Sequence, residues 1–305
     1  MAASLSNNEV ELAQQRYLDR VLPGWKSWRA RWAGGTAQII ELGCGPPVLF
    51  VHGGLGEAFQ WATVMAAMAK DHRVLAVDRP GHGLSDPFDY RGVDLPTHAR
   101  TFLTGMFDAA ENPTSALVSA SIGGLFAFHF AVAHPERVSR LVIVGGAAGM
   151  TRDQPIMLRL GTLPGIKQLV RAGMRRPTRE GVRSFWKQLL VAHPDRLAED
   201  FLDASAASQR RNAESWFTLM DRAIDVRGLR RDLLIRDVWP RLTVPTTLVW
   251  GERDAWAPPA IGEKFAALNP RASLVRIPDA GHAAWFDAPE ATQAAISAAL
   301  DSSAM

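Results

Sequence analysis

The sequence predicts an α/β fold: a mostly parallel, eight-stranded sheet with helices on both faces and a helical cap inserted into the second half of the chain. Short apolar strands recur in alternation with helical patterns, the arrangement that builds parallel sheets from strand–helix–strand units. The strands at Val48–Val51, Val74–Val77, Ala116–Val118, Leu141–Val144, Thr247–Trp250 and Leu274–Ile277 are continuous apolar runs rather than alternating ones, as expected where both faces are covered. Between Gly149 and Asp237 no convincing strand occurs, only helix-like stretches punctuated by prolines.

Taken in order, Asn8–Leu22 places Val10, Leu12, Ala13, Tyr17, Val21 and Leu22 at helical spacing and stops at Pro23-Gly24. Trp25–Trp32 and Gln38–Leu42 read as two strands turned through Gly34-Gly35. Helical patterns at Trp61–Lys70, Pro96–Ala110, Ile122–Ala133 and Ile261–Leu268 separate the apolar strands. The expected organisation is an N-terminal helical segment over 1–24, a core formed by 25–148 and 238–305, and a cap over 149–237.

With 305 residues, 47% hydrophobic and 8% aromatic, the composition is that of a globular enzyme rather than a disordered chain. Net charge is only +3, yet residues 151–241 carry 18 Lys and Arg against 11 Asp and Glu. Arginines coating the outer faces of helices are the plain reading of that excess; steering of anionic substrates is the other. No basic run interleaved with aromatics points to nucleic acid. A single cysteine, Cys44, excludes an intramolecular disulfide. Met1–Gln15 carries polar and acidic residues, and the apolar stretch Ile122–Ala133 falls short of the roughly 18 residues a span needs. A cytoplasmic protein without a membrane partner is expected.

Val118-Ser119-Ala120-Ser121-Ile122-Gly123-Gly124 stands at the end of a strand and the start of an apolar helix. Small residues on either side of Ser121 allow a sharp strand-to-helix turn in which neighbouring backbone approaches closely. Ser119 is a rival nucleophile, but Gly123-Gly124 set the register on Ser121. The helix N-terminus favours negative charge beside it, which makes the Ile122 N–H an oxyanion donor. Phe50-Val51-His52-Gly53-Gly54-Leu55-Gly56 follows another strand, and its spacing fits neither phosphate-binding glycine motif. Together with Asp78-Arg79-Pro80-Gly81-His82-Gly83-Leu84-Ser85-Asp86, these segments resemble the nucleophile elbow, the His-Gly-Gly loop and the D-x-P-G-x-G-x-S loop of the α/β-hydrolase family. Ser119 replaces the usual first glycine of the elbow. The resemblance implies Gly54 N–H as the second oxyanion donor, with Leu55 a weaker candidate, and a bracing role for His52. His82 and Ser85 receive no chemical role.

A serine hydroxyl needs a base within hydrogen-bond reach and a group that orients the base. Trp250-Gly251-Glu252-Arg253-Asp254 and Asp279-Ala280-Gly281-His282 each end a strand and resemble the family's acid and histidine loops. The resemblance thus implies a catalytic set of Ser121, Asp254 and His282, with Asp153 as a fallback acid; Glu252 and Asp279 are further candidates by proximity alone. No metal-binding spacing occurs among the histidines, and neither metal nor cofactor is expected. Leu55, Trp216, Trp256 and Trp285 are candidate pocket residues for a small molecule with an apolar acyl or aromatic group. Ester hydrolysis is the first reading. The alternatives are carbon–carbon bond hydrolysis of ring-cleavage products, with cap arginines pairing a substrate carboxylate, a cofactor-free perhydrolase, and a ligand sensor of negligible turnover.

Overall fold

Successive side chains of a strand point to opposite faces, and this splits each apolar strand between two hydrophobic layers. In β3 (Pro47–Val51), Val48 and Phe50 enter one layer while Leu49 and Val51 enter the other. Leu117 and Val118 part in the same way in β5 (Ser115–Ser121), as do Ile143 and Val144 in β6 (Val138–Ala147). Helices must therefore cover both faces. The computed structural model describes residues 7–301; the outermost residues of the expected 1–24 and 238–305 segments lie outside them.

The other strands are β1 (Lys26–Trp32), β2 (Gly35–Leu42), β4 (Arg73–Val77), the short pair β7 (Ile224–Asp225) and β8 (Gly228–Leu229), β9 (Thr246–Gly251) and β10 (Ala272–Ile277). The eight-stranded sheet runs β1-β2-β4-β3-β5-β6-β9-β10, and only β2 opposes the common direction. From β3 the chain moves to β4 on one side and then to β5 on the other. The order of strands thus reverses between β3 and β5, and such switch points open a crevice at the carboxyl ends of the strands. Ser121 and the glycine loop after Val51 both lie there.

One layer receives α3 (Leu95–Ala109), α4 (Ile122–Ala133) and later α9 (Pro259–Ala267); the other receives α1 (Asn7–Val21), α2 (Ala62–Met68) and later α11 (Pro289–Asp301). α4 is apolar all round because it is buried all round. A short turn, α10 (Ala284–Asp287), precedes α11.

Between β6 and β9 the chain leaves the sheet through α5 (Ile156–Leu160), α6 (Ile166–Met174), α7 (Arg179–Leu189) and α8 (Glu199–Ala223). α8 is tied to the loop after β4. Asn212 Nδ2 donates to Gly83 O at 2.9 Å, while Ser215 Oγ accepts from Phe88 N–H and Thr218 Oγ1 from Tyr90 N–H, each at 3.1 Å. α1 joins it as well: Arg20 pairs with Asp200 at 2.7 Å, and the rings of Tyr17 and Phe201 sit 5.6 Å apart.

Two local expectations need correction. The insertion does contain strand: β7 and β8 pair Ile224 with Leu229 and Asp225 with Gly228. Two residues a side are too few to show periodicity, and Gly228 at φ +109° is the turn signal that stood out least in an arginine-rich stretch. β10 is not covered on both faces either. It is the edge strand, and Ser273, Val275 and Arg276 are exposed despite the apolar run.

The corner between β5 and α4 leaves no room for side chains. A Cβ on Gly123 would stand 2.3 Å from His52 O and 2.6 Å from Val51 O, both main-chain atoms that cannot yield. Gly123→Ala is expected to lower stability by about 2–3 kcal/mol through overpacking. Gly173, inside α6 with nothing within 4 Å of its Cβ position, is the opposite case, and Gly173→Ala is expected to gain about 0.5–1 kcal/mol. Urea midpoints of the two variants check both; a Gly123→Ala midpoint at the wild-type value contradicts the packing argument.

Candidate active site

β5 delivers Ser121 into the crevice at φ +52°, ψ −119°, a conformation that serine rarely adopts and that only over-determined surroundings maintain. Those surroundings are visible. Ser121 O accepts from Ala148 N–H at 2.9 Å, and Gly53 comes so close that a Cβ there would sit 3.3 Å from Ser121 Cβ. Ser119, the rival hydroxyl, is fully buried in the sheet, and its Oγ donates to Val142 O at 3.2 Å.

His282 sits in the loop after β10, and its Nδ1 lies 2.8 Å from Asp254 Oδ2; the Asp254 side chain is wholly shielded from solvent. Asp254 Oδ1 accepts from the N–H groups of Trp256 at 2.7 Å and Ala257 at 3.3 Å, which fixes the carboxylate without help from α9. Of the substitute acids, Asp279 bonds Arg253 and His193, Asp153 is exposed, and so is Glu252. His282 Nε2 is buried and has no hydrogen-bond partner among the described residues. It borders a narrow cavity of about 50 Å³ that Ser121 also lines. Trp256 stacks on the imidazole with ring centroids 5.2 Å apart.

Gly54 and all four expected pocket residues, Leu55, Trp216, Trp256 and Trp285, line this cavity. Ile122 begins α4 beside Ser121 and is buried. The cap closes the cavity with Leu158 from α5, Phe185 and Trp186 from α7 and Met220 from α8. These positions carried no motif, because a cap residue is selected by where its helix lands. No Lys or Arg lines the cavity among the described residues. Cap arginines instead pair with acids of α8, Arg171 with Glu214 and Arg179 with Asp203.

Two functional supports went unseen in the sequence. Arg79, read as part of a fold-marking loop, is fully buried behind the glycine loop. Its guanidinium donates to Gly53 O at 2.7 Å and His52 O at 3.1 Å, and its backbone N–H donates to His52 Nε2 at 2.9 Å. His52 Nδ1 lies 2.8 Å from Gly53 O, so His52 braces the loop. In a trans peptide the C=O and the next N–H point in opposite directions. Pinning Gly53 O therefore turns the Gly54 N–H away from Arg79. Burial lowers the Arg79 pKa only to about 10, which leaves it cationic, and holds His52 well below its ordinary value, which leaves it neutral.

The second is Asp287, five residues beyond His282 and completely buried. One carboxylate collects three backbone donors: Gly281 N–H at 2.7 Å, and Ala192 and His193 N–H at 2.8 Å each. It joins the histidine loop to the α7–α8 connection, and Ala283 N–H adds a bond to Leu190 O at 2.7 Å. An acid between an apolar run and Pro289 was the available signal.

Asp287→Asn turns an acceptor into a donor facing those N–H groups. It is expected to cost on the order of 3 kcal/mol and to lower turnover through His282; wild-type stability and turnover in the variant contradict this. Asp78 supplies a pH test. Burial raises its carboxyl to about 6, against hydrogen bonds from Ala58 and Leu84 N–H. A pKa raised in the folded state gives stability that is full below the unfolded value and is lost as pH rises through the folded one. Relative to wild type, Asp78→Asn should therefore gain on the order of 2–3 kcal/mol between about pH 4 and pH 6.5. Parallel pH profiles of the two urea midpoints contradict it.

Comparison with known proteins places this geometry. Residues 48–295 match the model of the Alpha/beta hydrolase family. A 2-hydroxy-6-oxononadienedioate/2-hydroxy-6-oxononatrienedioate hydrolase of Cupriavidus pinatubonensis is 29% identical over 79% of this chain and 81% of its own. A 2-hydroxy-6-oxo-6-phenylhexa-2,4-dienoate hydrolase of Burkholderia cepacia is 28% identical over 83% of this chain and 87% of its own. Among solved structures, a carboxylesterase from Bacillus subtilis superposes with TM-score 0.77 at 20% identity, covering 98% of this chain and 99% of that one. A meta-cleavage product hydrolase from Pseudomonas fluorescens does so with TM-score 0.72 at 23% identity, covering 88% and 95%. The eight-stranded core, the switch-point crevice and the family match over most of the length agree: this chain belongs to the alpha/beta hydrolase family.

Proposed function

We propose that this hydrolase opens a carbon–carbon bond next to a ketone in a 2-hydroxy-6-oxo-dienoate type of molecule, with Ser121, His282 and Asp254 as its catalytic set. The observation that carries the chemistry is the bonded Asp254–His282 pair at 2.8 Å, with its free Nε2 on the cavity that Ser121 lines. The names of the curated relatives favour this bond over the ester that the sequence put first.

In this reading His282 takes the Ser121 proton as Oγ adds to the ketone carbon. The Gly54 and Ile122 N–H groups hold the oxyanion, and Asp254 keeps the proton on Nδ1 and stabilises the imidazolium. For the bond to break, the substrate's 2-enol first becomes a 2-ketone, its hydroxyl proton being replaced by one added at the carbon next to the 6-ketone. Collapse then cleaves the carbon–carbon bond, its electrons pass through the remaining double bond to the 2-keto oxygen, and His282 returns its proton to the resulting dienolate. Water, deprotonated by His282, then releases the acid from Ser121.

The cavity narrows the substrate. With Trp216, Trp256 and Trp285 around it and no Lys or Arg, an aryl or alkyl ketone suits it better than a second carboxylate. The same lack of a cation favours a second reading, a neutral carboxylic ester, which needs no partner for a carboxylate.

The test is a panel of a phenyl-substituted dienoate, the corresponding dicarboxylate and p-nitrophenyl butyrate. Turnover of the phenyl dienoate above the dicarboxylate is expected, and Ser121→Ala should lower its kcat by roughly 10⁴–10⁶. Turnover of the ester alone overturns the carbon–carbon reading; near-normal turnover by Ser121→Ala overturns the catalytic set.

A further inference from the structure

α6 is mounted the wrong way round for a helix of a globular protein. Such helices turn their apolar stripe inward and leave charge outside. Here Lys167 pairs with Asp221 of α8 at 2.6 Å, and Arg171 pairs with Glu214 at 2.7 Å while its guanidinium stands 5.1 Å from the Phe217 ring centroid. The polar side therefore faces the protein. Ile166, Leu169 and Val170 face solvent, with Leu169 75% exposed. α5, separated from α6 by five residues, also exposes Ile156, at 62%, Met157 and Leu160. Six large apolar side chains on two adjacent helices exceed the scatter of single exposed residues that needs no explanation.

The surroundings of the patch are cationic. Residues 151–178 contain Arg152, Arg159, Lys167, Arg171, Arg175 and Arg176 against the single acid Asp153. Asp221 and Asp225 of neighbouring elements pair with Lys167 and Arg152, and Glu214 is shared between Arg171 and Arg175; positive charge remains in excess, and Arg175 and Arg176 are both exposed. Two copies of the chain meeting patch to patch would bring these cations together. An anionic surface neutralises them while it takes up the apolar side chains, the combination that holds amphipathic helices in the headgroup region of a bilayer.

We propose that the α5–α6 face is a docking surface for an anionic lipid bilayer, bound peripherally. The expectation of no membrane partner rested on the lack of a spanning stretch, and a peripheral contact requires none. The location gives the contact a use. Leu158 of α5 lines the cavity that holds Ser121, and Met174 of α6 packs against the Trp216–Phe217 cluster of the cap. Of the two helices that would touch the bilayer, α5 walls the cavity and α6 packs against a cap cluster whose Trp216 also lines it, so an apolar substrate dissolved in the lipid would be held close to the site. The surface itself does not depend on which bond the site cleaves.

The test is co-flotation of the full chain with vesicles of phosphatidylcholine alone and of phosphatidylcholine with about a third phosphatidylglycerol. Binding to the anionic vesicles is expected to be at least about tenfold stronger and to weaken as salt is raised. Ile166→Glu with Leu169→Glu should reduce it about tenfold, and Arg175→Glu with Arg176→Glu should remove the preference for anionic lipid. Turnover of a water-soluble substrate should be unchanged in both variants. Equal partition onto the two kinds of vesicle, or none onto either, overturns the proposal. So does a dimer in light scattering that Leu169→Glu dissociates, since the second copy would then be what covers the face.

Discussion

The site depends on a tight approach of main chain to main chain. β3 and β5 are hydrogen-bonded neighbours, and α4 leaves β5 so close to the end of β3 that Gly123 meets two carbonyl oxygens of that strand's terminus. Only this approach brings the Ser121 corner beside the glycine loop, and only a rigid corner keeps a serine at positive φ. Strain of this kind, of order 1–3 kcal/mol per residue, persists where the rest of the fold outweighs it. Two buried apolar layers and a mostly parallel sheet supply that weight.

Around the corner the polar supports are arranged in series. Arg79 pins the carbonyl before Gly54, His52 stays neutral beside it, and Asp254 fixes the imidazole from the opposite side of the cavity. Asp287 ties the histidine loop to the cap. The α7–α8 connection is thus joined to the histidine loop by this carboxylate and by the Ala283 N–H bond to Leu190 O. The cavity itself is small, about 50 Å³, well below the several hundred Å³ that enclose a drug-sized ligand. The helices of the insertion contribute Leu158, Phe185, Trp186 and Met220 to its wall.

Much of this was legible in the sequence because each feature had a local cause. Continuous apolar runs marked the buried strands, the Ser-Ile-Gly-Gly turn marked the corner, and Gly281-His282 after the last strand marked the histidine loop. Asp254 and His282, 28 positions apart, were paired through resemblance, since nothing in either segment states which partner it meets. What escaped were features fixed by tertiary placement. Arg79 stood in the sequence only as one member of the D-x-P-G-x-G-x-S loop, because nothing nearby shows that its side chain is buried behind another loop. Trp216 apart, cap residues such as Leu158, Phe185 and Met220 reach the pocket through the way α5, α7 and α8 settle on the core, and the reversed mounting of α6 shows only once the acids of α8 are beside it. The β7–β8 ladder was too short to leave a period. The basic excess of the insertion, whose reading was open, is met in part by acids of α8 and by main-chain oxygens, and places no Lys or Arg on the cavity wall among the described residues.

Intact-mass and peptide mapping after exposure to a fluorophosphonate tests the central claim most directly, because the reagent reacts with a hydroxyl only where a base activates it and amides hold the oxyanion. The account predicts one adduct per chain, on Ser121, formed quickly in the wild type and lost in His282→Ala. Labelling at Ser119 or at a scatter of serines, or equal labelling without His282, would contradict it.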